Sequence, residues 1–112
     1  MNSIPIVIDS ELLNGLLHDL WFSLGSLRYD SGTQEATMRL GARRHEPFDA
    51  MMVTITEVQD VSISDEAQID VYDIASVSIA DDRIVLTSGF PLRIIFRVRQ
   101  TSKIIARSCV AP

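Results

Sequence analysis

Cysteine, histidine and glycine are all scarce in this chain, at one, two and five residues of 112. The single Cys109 excludes an intramolecular disulfide, so the fold does not depend on an oxidising compartment. His18 and His45 lie 27 positions apart, without the short ligand spacing of a zinc site. The dipeptide His18–Asp19 lacks the further His and Asp ligands of a metal-dependent phosphohydrolase. No glycine falls between Gly41 and Gly89, so the carboxylate run Asp60, Asp65, Glu66, Asp70 and Asp73 is no EF-hand loop, which turns on a central glycine. No serine stands in a G-x-S-x-G elbow. Long apolar runs are missing too. No window approaches the ~18 residues of a membrane-spanning helix. The opening MNSIPIVIDSELL has no basic lead and places Asp9 and Glu11 where a secretory signal needs apolar residues. The expectation is a cytoplasmic protein with no cofactor, no metal and no catalytic centre.

Charge is present but segregated. Residues 1–82 hold all fifteen acidic residues against four arginines, a net −11. Residues 83–112 hold five arginines and Lys103 against no acid, a net +6. Between His45 and Asp82 stand ten carboxylates and no Lys or Arg. Such asymmetry points to interaction surfaces. It is also what two neighbouring strands of one sheet need to neutralise each other in part. The apolar fraction of 46% argues against disorder. A chain of this size buries roughly 65% of its unfolded surface, enough for one core. Residues 1–108 read as a single β-rich domain and 109–112 as a tail, although the chain already turns tail-like after Ile105.

Periodicity sets the fold class. Ile4–Ile8 carries Pro5 and suits an edge or an extended lead-in. Asp9 or Ser10 can cap a short helix over Glu11 to His18, with Leu12, Leu13, Leu16 and Leu17 on one face. Leu20 to Tyr29 reads as a long strand with a bulge at Gly25–Ser26. It returns through the turn Asp30–Thr33, where Gly32 supplies a positive φ, to make a hairpin ending at Gly41. Met51 to Thr56 alternates and continues in extended form through Val58, Val61 and Ile63. After a turn at Ser64–Gln68, Ile69 to Ile79 reads as one strand, with Val71, Ala75, Val77 and Ile79 on one face. Arg83 to Ile105 reads as two strands joined at Ser88–Gly89–Phe90–Pro91. No helix follows each strand, and the turns are short. The expected class is α+β, mainly β. It is a bent antiparallel sheet of six or seven strands, a half-barrel or small sandwich, with one short N-terminal helix.

In the second strand of that closing pair Ile94, Phe96 and Val98 share one parity and Arg93, Arg97 and Arg99 the other, so three guanidinium groups line one face. Such a comb can grip an acidic protein or phosphates. The acidic net charge and the lack of aromatics between the arginines oppose nucleic acid. The carboxylates Asp65, Glu66, Asp70 and Asp73 form a second candidate surface, suited to a basic partner, with Trp21 or Tyr72 as an aromatic anchor. Self-association as a homodimer through an open strand edge is a further expectation.

From Leu17 onward the order LHDLWFSLGSLRYD, a turn, ATMRL, then VTITEVQDVSI and a closing hairpin is similar to a loose group of small bacterial β-rich domains. Some of these are grouped as polymorphic-toxin immunity proteins. The resemblance implies a non-enzymatic protein that acts by binding, covering a toxin's active site. It supplies no binding residues. The alternative reading is a small-ligand-binding β-barrel with hydrolase or isomerase chemistry, which needs an enclosed cavity with convergent polar groups.

Overall fold

The computed structural model describes residues 6–7, 15–45 and 47–108, and among them the backbone is mostly extended. In chain order the strands are β1 (Ile6–Val7), β2 (Trp21–Ser23), β3 (Arg28–Asp30), β4 (Glu35–Leu40), β5 (Met51–Ile55), β6 (Val58–Asp65), β7 (Val71–Asp73), β8 (Ser76–Ile79), β9 (Arg83–Thr87), β10 (Leu92–Val98) and β11 (Ile104–Ser108). All pair antiparallel. A five-stranded sheet runs β1-β11-β5-β4-β3, a four-stranded sheet runs β6-β10-β9-β8, and β2 pairs with β7 alone. That small pair joins the first sheet through a bridge between Trp21 and Gly41, closed by two backbone hydrogen bonds of 2.8 Å.

The alternating residues of β4 and β10 explain where the core lies. Ala36, Met38 and Leu40 face inward from β4, and Leu92, Ile94, Phe96 and Val98 face inward from β10, all of them buried. Met38, Val53 and Ile104 of the first sheet line the same small cavity as Val77, Leu86 and Phe96 of the second, so the two sheets share one apolar layer. The cavity measures about 20 Å³ and is lined by apolar side chains, so nothing in it would hold a water or a ligand in place. Leu17, from the helical residues 15–17, enters this layer at 3% exposure. The rest of the helix expected over Glu11 to His18 lies outside the described residues.

Seven of the eleven strands have four or more residues. β2, β3 and β7 are three residues long, too short for alternation to show in the sequence, and β11, of five residues, begins where the second strand of Arg83–Ile105 is expected to end. Leu20–Tyr29 is two strands instead of one. A 3₁₀ turn at Leu24–Ser26 breaks it, closed by Leu27 N–H to the Leu24 carbonyl at 3.1 Å and by the Ser26 hydroxyl to the Ser23 carbonyl at 2.7 Å. Only β3 then pairs with β4 as a hairpin, while β2 turns to β7. Ile69–Ile79 also divides. Ile74 N–H donates to Leu20 and Ala75 N–H to Thr87, so the chain changes sheets between them. Parity changes there, so Tyr72 and Ile74 are buried before the step and Val77 after it, while Ile79, on the same face as Val77 but at the end of β8, is 38% exposed. Residues 106–108 do not trail away: they belong to β11, which lies inside the first sheet between β1 and β5, and the tail expected at 109–112 lies outside the described residues.

Positive φ falls on Asp19, Gln34, Glu57, Gln68 and Asp70, and among the described residues on no glycine. At the β3–β4 turn Gly32 is therefore not the left-handed residue. Asp30 Oδ1 instead accepts from Gly32 N–H at 2.8 Å and from Thr33 N–H at 3.4 Å, and Gln34 takes φ 58°. A left-handed non-glycine residue costs roughly 1–2 kcal/mol. Gln34→Gly should therefore raise the urea unfolding free energy by about 0.5–1 kcal/mol, after glycine's own entropy cost. A fall in stability would contradict the assigned turn.

Candidate interaction surfaces

The carboxylates of the acidic segment are placed at the joints between strands. Asp65, at the end of β6, accepts from the Tyr72 hydroxyl in a very short hydrogen bond and from Gln68 N–H at 2.9 Å. Asp70 accepts from the Ser23 hydroxyl at 2.8 Å and from Gly25 N–H at 3.0 Å, tying the 3₁₀ turn to the segment before β7. Asp73 accepts from the Ser88 hydroxyl at 2.6 Å and from Gly89 N–H at 2.9 Å. A Cβ at Gly89 would lie 3.0 Å from Asp73 Oδ2, so this close approach suits glycine. Glu66 is exposed, and its backbone N–H donates to the Pro91 carbonyl at 3.0 Å. Asp65, Asp70 and Asp73 thus each hold one loop to another.

The arginines stand differently. β10 is a central strand of the four-stranded sheet, and its register sets the outer face. Arg93 lies between Ser64 and Thr87, Ile95 between Ser62 and Val85, and Arg97 between Asp60 and Arg83. The acidic β6 and the basic β10 are therefore neighbours. Yet among the described residues neither Arg93, Arg97 nor Arg99 forms an ion pair; the nearby pair is Arg83 Nε to Asp82 Oδ1 at 3.3 Å. Arg97 and Arg83 are like charges directly across the ladder, an arrangement that costs stability. Together with Asp60, Asp82, Ser62 and Ile95 they line a depression of about 250 Å³. Arg99 leaves the expected comb. β10 ends at Val98, where the register to β6 shifts, and Arg99 N–H donates to the Glu57 carbonyl at 3.3 Å.

Trp21 is half-buried beside Phe90, with ring centroids 6.4 Å apart. The Arg44 guanidinium carbon lies 5.7 Å from the Trp21 ring and 5.6 Å from the Phe90 ring, a shared cation–π contact. Gly41 lets this happen. A Cβ there would meet the Pro47 carbonyl at 3.0 Å and Phe48 Cα at 3.1 Å, so the loop carrying Arg44 could not fold back as closely. Tyr72, the other aromatic expected as an anchor, is fully buried and reaches no surface. Its ring packs edge-on to Phe90 at 6.4 Å and tilted to Phe22 at 6.2 Å, so the aromatics run from the exposed Arg44 into the core. Phe90 and Arg44 went unnoticed in the sequence, since one sits in a turn and the other in a polar loop.

Among the described residues no three His, Cys, Asp or Glu side chains gather as a metal site, and His18 Nδ1 lies 3.2 Å from the adjoining Asp19 carboxylate. No family model, curated protein or solved structure matches the chain.

The Tyr72 phenol is displaced from its ordinary range. Burial raises the Tyr72 phenol pKa, and its hydrogen bond to the Asp65 carboxylate raises it further, because a phenolate beside a carboxylate is disfavoured. A folded-state pKa above the unfolded value of about 10 adds stability that is complete below pH 10 and is lost as pH rises through the folded value. In a Tyr29→Phe variant, Tyr72 is the remaining tyrosine. Its ultraviolet difference absorbance should rise only above pH 10 and together with unfolding. Ionisation below pH 10 in the folded protein would contradict the assigned contact.

Proposed function

We propose that this chain is a non-enzymatic protein-binding module, and that neutralisation of a toxin, as in immunity-type proteins, is the sharper form of that role. The observation that carries the reading is the pair Arg93 and Arg97, held on a central strand of a sheet with no ion-pair partner among the described residues. Arg97 faces a like charge, Arg83, on β9, and Asp60 across it on β6 does not reach it as an ion pair. The Trp21–Phe90–Arg44 cluster supports the same reading, since tryptophan and arginine are the side chains that most often dominate interface energies. On this reading the two larger sheets form a small sandwich whose filled core is a scaffold and whose faces carry the recognition. The 20 Å³ apolar cavity favours it over a ligand-binding barrel, whose pockets run to ~300 Å³ or more with polar groups inside. Cytoplasmic location belongs to the proposal as well.

Capture of native complexes from the source cell, followed by mass spectrometry, tests the module. We expect one stoichiometric protein partner with the wild-type chain and none with Arg93→Glu/Arg97→Glu, whose unfolding free energy should change by no more than ~0.5 kcal/mol per site because both side chains are exposed. A co-purifying small molecule without a protein partner would overturn the proposal in favour of the ligand-binding barrel.

A further inference from the structure

The outer face of the five-stranded sheet is a second cationic surface, assembled by register from residues far apart in the chain. Arg39 of β4, Met52 of β5 and Arg107 of β11 form one cross-strand row. Arg28, Thr37, Thr54 and Ile105 form the next. Alternation puts both rows opposite the core. The intervening Met38, Val53 and Ala106 are buried, whereas Arg28, Arg39 and Arg107 are exposed. Arg39 and Arg107 flank Met52 on either side, about 10 Å apart at twice the strand spacing. Arg28 is the diagonal neighbour of Arg39, at about 7–8 Å. Arg28 donates to the Gly25 carbonyl at 2.9 Å, and none of the three forms an ion pair among the described residues. The acids of this face, Asp30 and Glu35, lie opposite each other one row beyond Arg28, each about 7–8 Å from it and lining a depression with it, while Glu35 is about 13 Å along the strand from Arg39.

We infer that this face docks an acidic segment of a partner protein, an inference that rests on the binding-module reading and adds to the Arg93–Arg97 face a second surface, with the charge of the partner segment it takes. The three guanidinium groups complement carboxylates, which arginine grips through two parallel N–H donors. Between them lie Met52, Ile105 and two threonines, an apolar floor of the kind that protein interfaces use together with arginine. A nucleic acid fits less well. No aromatic side chain stands between the arginines in these rows to stack on a base.

Fluorescence anisotropy with labelled poly-L-glutamate tests the assignment, using the full chain, Arg39→Thr/Arg107→Thr and Arg93→Thr/Arg97→Thr, with a mixed-sequence single-stranded oligonucleotide as a second probe. Threonine keeps strand propensity at these positions. The expected result is binding that weakens as salt is added, falls roughly tenfold in Arg39→Thr/Arg107→Thr and is unchanged in Arg93→Thr/Arg97→Thr. Loss confined to Arg93→Thr/Arg97→Thr overturns this face while leaving the module standing on the other. Absence of poly-L-glutamate binding also overturns it, and the native-complex capture then decides the module separately. Tighter binding of the oligonucleotide, lost in Arg39→Thr/Arg107→Thr, replaces the acidic protein with a nucleic acid.

Discussion

Hydrogen bonds from carboxylates to backbone amides and hydroxyls hold the points where this chain changes direction or sheet. With little helix among the described residues, the chain must bend repeatedly while leaving few backbone N–H groups unpaired. Asp30 closes the β3–β4 turn, Asp70 the 3₁₀ turn after β2, Asp73 the turn between β9 and β10, and Asp65 the turn after β6. Glu57 takes a left-handed φ at the step from β5 to β6, and its carboxylate accepts from the Thr101 hydroxyl at 2.9 Å. The Thr56 and Lys103 backbones complete that crossing, with Thr56 N–H on the Lys103 carbonyl at 2.9 Å and Lys103 N–H on the Thr56 hydroxyl at 2.8 Å. These joints set the register of both sheets, and the register decides which arginines share a face.

The charge segregation of the sequence thereby acquires a physical division of labour. Asp30, Glu57, Asp65, Asp70 and Asp73 are engaged with amides and hydroxyls at the joints, where a carboxylate makes stronger hydrogen bonds than a neutral acceptor. Arg39, Arg93, Arg97 and Arg107 lie within strands, are exposed and lack carboxylate partners among the described residues. A molecule with net charge −5 thus turns cationic side chains outward on both of its large sheets. Arg44, laid over Trp21 and Phe90, adds a third place where a cation meets an apolar surface.

Much of this was legible in sequence where strands are long and regularly alternating. β4, β9 and β10 lie where alternation puts them, and antiparallel pairing follows from the short turns. Short strands hid themselves. β2 and β7 have three residues each and find each other across the chain, so Leu20–Tyr29 and Ile69–Ile79 both looked continuous. Trp21 was visible as an aromatic, but Phe90 and Arg44 could not be joined to it without knowing that the Gly41 loop folds back. Arg93 and Arg97 were readable because one strand carries both. Arg28, Arg39 and Arg107 were not, because three strands far apart in the chain carry them and only pairing unites them. Tyr72 looked like a surface anchor, and its burial follows from Asp65 satisfying its hydroxyl.

The division between structural carboxylates and outward arginines is most directly tested by comparing urea unfolding of Asp73→Ala and Arg97→Ala. Asp73→Ala should lose about 1–3 kcal/mol, because Ser88 and Gly89 lose a charged acceptor in a half-buried turn. Arg97→Ala should stay within about 0.5 kcal/mol of the wild type. The reverse ranking, with Arg97 carrying the stability and Asp73 dispensable, would contradict the account.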